Sequence, residues 1–375
     1  MWVALRLVPA RIVLFGATGY TGRLTAERLI ALDERPLLAG RSEEKLASLA
    51  ADLGGLEWQR ADVFRRNSVF DLVSEGDVLL STVGPFAKWG EPAVGAAIAA
   101  RGTYLDSTGE PAFIRRVFEE FGPPAARAGA VLMPAMGYDF VPGALAGALA
   151  LEDAGAAATR VDIGYYALGG GFGALSRGTR ASLAGASFDD SFAFRDGQVR
   201  RVRSAERVRD FDVRGTPRPA ISVGGAEHFT LPAAYPRLRE VNVHLGWFAG
   251  LARAVQAGSL AASVVTRVPG VRSVLGFAMS RVAGLAGGPE PGTTPGTASY
   301  IAAEAYGPDG ERLAEIHLSG ADGYAFTAGF LAWAARRAAH AGVDATGAAG
   351  PLEAFGLEAL ERGCDEAGLR RVGRD

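Results

Sequence analysis

The chain is poor in the residues that hold secreted or metal-bound folds together. Cys364 is the only cysteine among 375 residues, so no intramolecular disulfide can form. Histidine is almost as scarce. His228, His244, His317 and His340 are scattered without the spacing of metal ligands, and they read as packing or surface groups. Lysine occurs only at Lys45 and Lys88, against a large excess of arginine. The formal net charge of -2 leaves no basic excess to attract nucleic acid. The opening MWVALRLVPA lacks the basic region of a signal peptide. The most apolar later stretch, 245–285, is cut by Arg253, Arg267, Arg272 and Arg281. No charge-free run reaches the ~18 residues that span a bilayer. The expectation is a cytoplasmic protein with no metal, no nucleic-acid partner and no transmembrane segment.

What is present is a hydrophobic fraction of 49%, enough for two domains with real cores. Up to about residue 135, short apolar strands alternate with helices. RIVLF, PLLAG, LEWQRADV, DVLLSTV, TYLDST and AVLMPA read as strands. Between them, helices are expected at Thr21–Leu32, after the cap Ser42, at Ser68–Ser74, in PAVGAAIAAR and at Phe113–Ala128. That alternation predicts a doubly wound parallel sheet in the order 3-2-1-4-5-6, with ligands beyond the carboxyl ends of the strands.

The first strand–helix junction reads IVLFGATGYTG. Gly16 suits a tight turn, Gly19 allows a pyrophosphate to approach the backbone, and Gly22 lets the helix pack on the strand. The helix N-terminus then offers amides and a positive dipole to phosphate. At the end of the second strand, where an acid would grip a ribose diol, the chain has Gly40-Arg41-Ser42. A guanidinium there pairs with a 2′-phosphate, and Ser42 adds a donor, so NADP(H) is expected rather than NAD.

GATGYTG, AGRSEEKL, STVGPFAKWGEP, GTYLDSTGE and MGYDFVPG, in that order, resemble the saccharopine dehydrogenase-like oxidoreductases, in particular the branch with the trans-acting enoyl reductases. The likeness is strong over 11–145. It continues more weakly through GGFGALSRGTRAS, AEHFTLP and GPLEAFGLEALERG. The resemblance implies a Rossmann domain over 1–150, an α+β domain for substrate or oligomerisation over 151–322, and a helical segment, 323–375, that returns to the first domain. It carries the phosphate-loop role to Gly16, Thr18, Gly19, Tyr20, Thr21 and Gly22. The segment beside the nicotinamide in relatives corresponds to Thr82, Val83, Gly84 and Pro85. Asp62, closing the third strand, reads either as a contact to the adenine edge or as a surface or capping residue.

From about residue 152 strands follow strands: RVDIGYYAL, FAFRDGQVRRV, RVRDFDV, AISVGGAEHFTL, REVNVHLGW, TASYIAAEAYG and ERLAEIHLSG. A largely antiparallel sheet is expected, with turns at Asp196-Gly197 and Pro308-Asp309-Gly310. The glycines before Ser176 and Thr179 suit a lid or a plain loop. The 245–285 stretch suits core helices, an apolar cover, a homodimer surface or a peripheral membrane contact.

A reductase needs a group to supply a proton or to steady negative charge. The Tyr-x-x-x-Lys dyad of short-chain dehydrogenases is absent. Lys88, Tyr104, Asp106, Tyr138 and Asp139 lie near the carboxyl ends of strands four to six. Tyr138 is the first choice as donor and Lys88 as oxyanion contact. Asp139 reads as a proton-handling group or as the cap of a helix near Pro142. The expected function is NADP(H)-dependent reduction of a C=C, C=N or C=O bond in an apolar small molecule or a carrier-bound metabolite. The alternative is a non-catalytic NADP(H) sensor or scaffold.

Overall fold

The structure is a computed structural model that describes residues 10–168, 191–246, 251–265, 297–320 and 322–373. Most of 245–285 and the glycine-rich segment before Ser176 and Thr179 lie outside these. The chain forms two compact units. The first comprises residues 1–108, 113–141 and 323–368, and the second 109–112, 142–322 and 369–375.

In the first unit, β1 (Ile12–Phe15), β2 (Leu37–Gly40), β3 (Trp58–Arg60), β4 (Val78–Ser81), β5 (Thr103–Asp106) and β6 (Val131–Met133) form a parallel sheet. Their order is 6-5-4-1-2-3, and a two-residue strand, Gly347–Ala348, pairs with β6 outside it. The expected doubly wound sheet and strand order are found. Val13, Leu37 and Leu79 lie buried in one cluster, while Leu14, Leu38 and Leu80 are also fully buried. Adjacent residues of β1, β2 and β4 are therefore buried on both faces of the sheet, which is why these strands read as unbroken apolar runs. Each such side chain contributes roughly 1.5–3 kcal/mol of burial.

The helices begin where the sequence signals them, with some corrections. α1 spans Tyr20–Ala31 and α2 spans Glu43–Asp52, with Ser42 Oγ accepting from Lys45 N at 3.4 Å. Gly54 and Gly55, both at positive φ, end α2. The third strand is only three residues long, and the short helix after it, α3, is Arg66–Phe70 rather than Ser68–Ser74. α4 (Phe86–Trp89) and α5 (Glu91–Ala99) follow β4. The helix expected at Phe113–Ala128 is broken into Pro111–Arg116, a π-helical turn at Val117–Phe121, and Gly122–Ala128. Pro123 and Pro124 remove two amide donors there, so the regular ladder cannot run through. A 19-residue helix, Gly323–Ala341, returns to this unit and packs along α1.

The second unit is built on a sheet in which β7 (Arg160–Leu168) and β12 (Glu240–Leu245) are parallel and every other pairing is antiparallel. The remaining strands are β8 (Ser191–Arg195), β9 (Gln198–Val202), β10 (Val208–Val213), β11 (Thr216–Ser222), β13 (Ala298–Tyr306), β14 (Arg312–Gly320) and a last strand, Leu369–Val372. The run AISVGGAEHFTL is not one strand. It breaks at Gly224-Gly225, and Glu227–Ala234 is a helix. Phe229 and Thr230 have β propensity, but burying His228, Thr230 and Leu231 decides the local form. Asp162 and Glu304 face each other in register and are both buried. Arg209 pairs with both, and Asn242 Nδ2 donates to Asp162 at 2.7 Å, which offsets the like-charge repulsion.

Candidate functional site

Beyond the carboxyl end of β1 the glycine loop folds back on its own sheet. Gly16 N and Ala17 N both donate to Ala39 O, at 2.9 and 3.1 Å, and the Thr82 hydroxyl donates to Gly16 O at 3.1 Å. The three glycines have separable physical reasons. Gly16 sits at φ +93°, and a Cβ on it would lie 2.6 Å from Thr82 Oγ1. A Cβ on Gly22 would lie 2.2 Å from Gly16 O. Both positions are required by the protein's own packing. Gly19 differs: its φ is -77°, open to any residue, and a Cβ there meets only Gly16 O, at 3.3 Å. That contact is tight but needs only a few tenths of an ångström of give, so the fold demands glycine far less at 19 than at 16 or 22, and the rest of the space above it is a cradle that a side chain would begin to fill. Gly19 also N-caps α1, with no side-chain cap and no acid in the first turn. That end of α1 is suited to an anion. A pyrophosphate fits it.

Thr18 Oγ1 lies 3.7 Å from where a Cβ on Gly40 would stand, which links the loop to the end of β2. Arg41 follows, exposed, and no ion pair holds it among the described residues. Ser42 caps α2. Asp62 Oδ1 accepts from Phe64 N at 3.0 Å, and Asp62 N donates to Ser68 Oγ at 3.0 Å. On the other side of β1, Thr82, Val83, Gly84 and Pro85 leave β4 beside Gly16, and Gly84 is exposed.

Lys88 lies on α4, exposed, with Nζ 5.1 Å from the centre of the Trp89 ring. Tyr104 is buried in the core. Asp106 is fully buried, and its Oδ1 accepts from Thr108 N at 2.8 Å and from Ala135 N at 2.9 Å, fixing the exits of β5 and β6. Tyr138 and Asp139 lie in the turn after β6. Tyr138 N donates to Thr327 Oγ1 at 3.0 Å, and its ring meets Phe326 edge-on at 6.3 Å. Asp139 is partly buried, yet its Oδ1 is out of reach of solvent and has no hydrogen-bond partner among the described residues. Burial pushes this carboxyl up from 3.8 to about 7.

Three residues of the return helix went unnoticed in the sequence. Gly323 abuts the Tyr138 ring, Thr327 holds the Tyr138 amide, and the Tyr324 ring meets Tyr20 of the glycine loop edge-on at 5.1 Å. Tyr138 and Thr327 are 189 positions apart, so no local pattern joins them. A cavity of about 420 Å³ lined by Phe70, Val73, Glu75 and Arg101 belongs to the opposite, amino-terminal end of the strands and takes no part in this site. Among the described residues no helix is long and apolar enough to cross a membrane, and no cluster of three or more His, Cys, Asp or Glu is placed to hold a metal ion.

The chain is 43% identical over 139 residues to a trans-acting enoyl reductase of Mycobacterium leprae, and 38% identical over 137 residues to one of Mycobacterium tuberculosis. Each match covers 35% of this chain and 33% of the relative, so the chain is matched to about a third of those proteins' length. Saccharopine dehydrogenase (L-Glu forming) of Saccharomyces cerevisiae shares the fold, with a TM-score of 0.61 and 13% identity over 97% of this chain and 100% of that one. No family model matches the chain. Of the likenesses read from the motifs, that to the trans-acting enoyl reductases is found among the sequence relatives and that to the saccharopine dehydrogenase fold among the solved structures.

Proposed function

We propose that this chain is an NADP(H)-dependent oxidoreductase that reduces a polarised C=C, C=N or C=O bond. The observation that carries the reading is Gly19, a glycine the fold needs far less than Gly16 or Gly22, set at a helix N-terminus without a side-chain cap where a pyrophosphate fits. The dinucleotide, when bound, supplies the hydride. The chain's own residues do the rest. Gly16 to Gly22 hold the phosphates, Arg41 and Ser42 take the 2′-phosphate, and Thr82 to Pro85 border the nicotinamide side. Tyr138 orients substrate or donates a proton, since a phenol is neutral at pH 7. Asp139, titrating near 7, is partly protonated at neutral pH and can pass a proton on. Lys88 steadies developing negative charge.

The name of the enoyl reductase relatives favours a C=C bond and a substrate presented by another protein, and an apolar or carrier-bound metabolite belongs to this proposal. So do the domain roles over 1–150, 151–322 and 323–375, and a homodimer. The cofactor choice is tested at Arg41. In Arg41→Ala, NADPH binding should weaken about tenfold to a hundredfold, the value of a charge-assisted pair of ~1.5–3 kcal/mol, with NADH binding unchanged. Equal losses for both cofactors, or none, would remove the 2′-phosphate assignment.

A further inference from the structure

Phe64 is 73% exposed, the largest exposure of any large hydrophobic side chain among the described residues. It does not hang loose. The Asp62 carboxylate accepts its amide, and the Asp62 amide is itself bonded to Ser68, so the turn that displays the ring is fixed. Its ring meets Trp89 edge-to-face, with centroids 4.8 Å apart at 66°. Phe64 follows β3 and Trp89 ends α4 after β4, while β1 and β2 lie between those strands. A contact between these two residues therefore reaches across the carboxyl ends of β1 and β2, where the glycine loop and Arg41 begin. The exposed Phe64 ring, buttressed edge-on by Trp89, offers an aromatic face on which one base can stack. It is far smaller than the ~800 Å² that each partner buries in a stable protein interface.

We infer that the Phe64–Trp89 pair is a shelf on which the adenine of NADP(H) stacks, with Asp62 acting as the residue that holds the shelf rather than as a contact to the base. The inference rests on the nucleotide reading of the loop and deepens it. Arg41 closes β2, next to β3, so the adenosine half lies on the β2–β3 side. The turn with Tyr138 follows β6 on the opposite flank, which leaves that side to the nicotinamide. Base–aromatic stacking tolerates any large ring but not its removal.

The test is calorimetric titration of the full chain and its Phe64 variants with 2′,5′-ADP, the adenosine half carrying the 2′-phosphate. Phe64→Ala and Phe64→Leu should each weaken binding about tenfold, and Phe64→Trp should retain it. The ligand-free melting temperature should not change, because the ring is on the surface. If Phe64→Ala binds 2′,5′-ADP as the unaltered chain does, the shelf is wrong and the nucleotide reading stands. If the unaltered chain binds neither NADPH nor 2′,5′-ADP, the nucleotide reading fails and the shelf with it.

Discussion

At Asp139 a carboxyl oxygen is buried without a hydrogen-bond partner among the described residues, an arrangement that costs stability and is tolerated where it serves chemistry. The sign of that cost follows from its titration. Unfolded, the group ionises near 3.8; folded, near 7. Below about pH 4 both states are protonated and burial is harmless. Between about 4 and 7 only the unfolded chain releases its proton, so stability falls as pH rises, and the full penalty is present above 7. Asp139→Asn should therefore raise stability at pH 8 by on the order of 1–3 kcal/mol, allowing for the partial exposure of the residue, and change little at pH 4. Thermal melts at the two pH values check this. Equal effects at both would show that the carboxyl is not held neutral by burial.

Among the elements, the glycine loop and the return helix show what a sequence reveals and what it hides. The loop was legible because its information is local: Gly16, Gly22, the cap at Ser42 and the apolar run of β1 all signal within a few residues. The place of Arg41 at the end of β2 was legible for the same reason. The EHFTL helix was not, because tertiary burial of His228 and Leu231 overrode local strand propensity. The tie from Thr327 to Tyr138 was hidden by sequence distance, and the engagement of Asp62 by Phe64 needed coordinates. Thr327 Oγ1 accepts from Tyr138 N and donates to Gly323 O at 2.7 Å, while a Cβ on Gly137 would lie 2.8 Å from Thr327 Cγ2. The helix start and the Tyr138 turn are thus fitted to one another. Thr327→Val keeps the shape but removes the hydroxyl that accepts the buried Tyr138 amide, so it should cost about 1–3 kcal/mol. Thr327→Ser should cost less. Denaturant midpoints compare them, and equal losses would mean that the methyl, not the hydroxyl, matters.

For the whole molecule, a parallel sheet whose strands end at a glycine loop sits in one compact unit, and a mixed sheet with a buried arginine–carboxylate network forms the other. The strand order, the Arg41 position and the shared saccharopine dehydrogenase fold all bear on one claim, that a dinucleotide is held at residues 16 to 22. The most direct measurement is calorimetric titration of NADPH into the full chain, beside Gly19→Val and Gly22→Val. The unaltered chain should bind. Gly19→Val should lose binding while melting only modestly lower, because its side chain enters the cradle and its Cβ asks the Gly16 carbonyl to give by only a few tenths of an ångström. Gly22→Val should melt far lower, because its Cβ would collide with the Gly16 carbonyl. NADPH binding by Gly19→Val with unaltered affinity would contradict the site assigned to this loop.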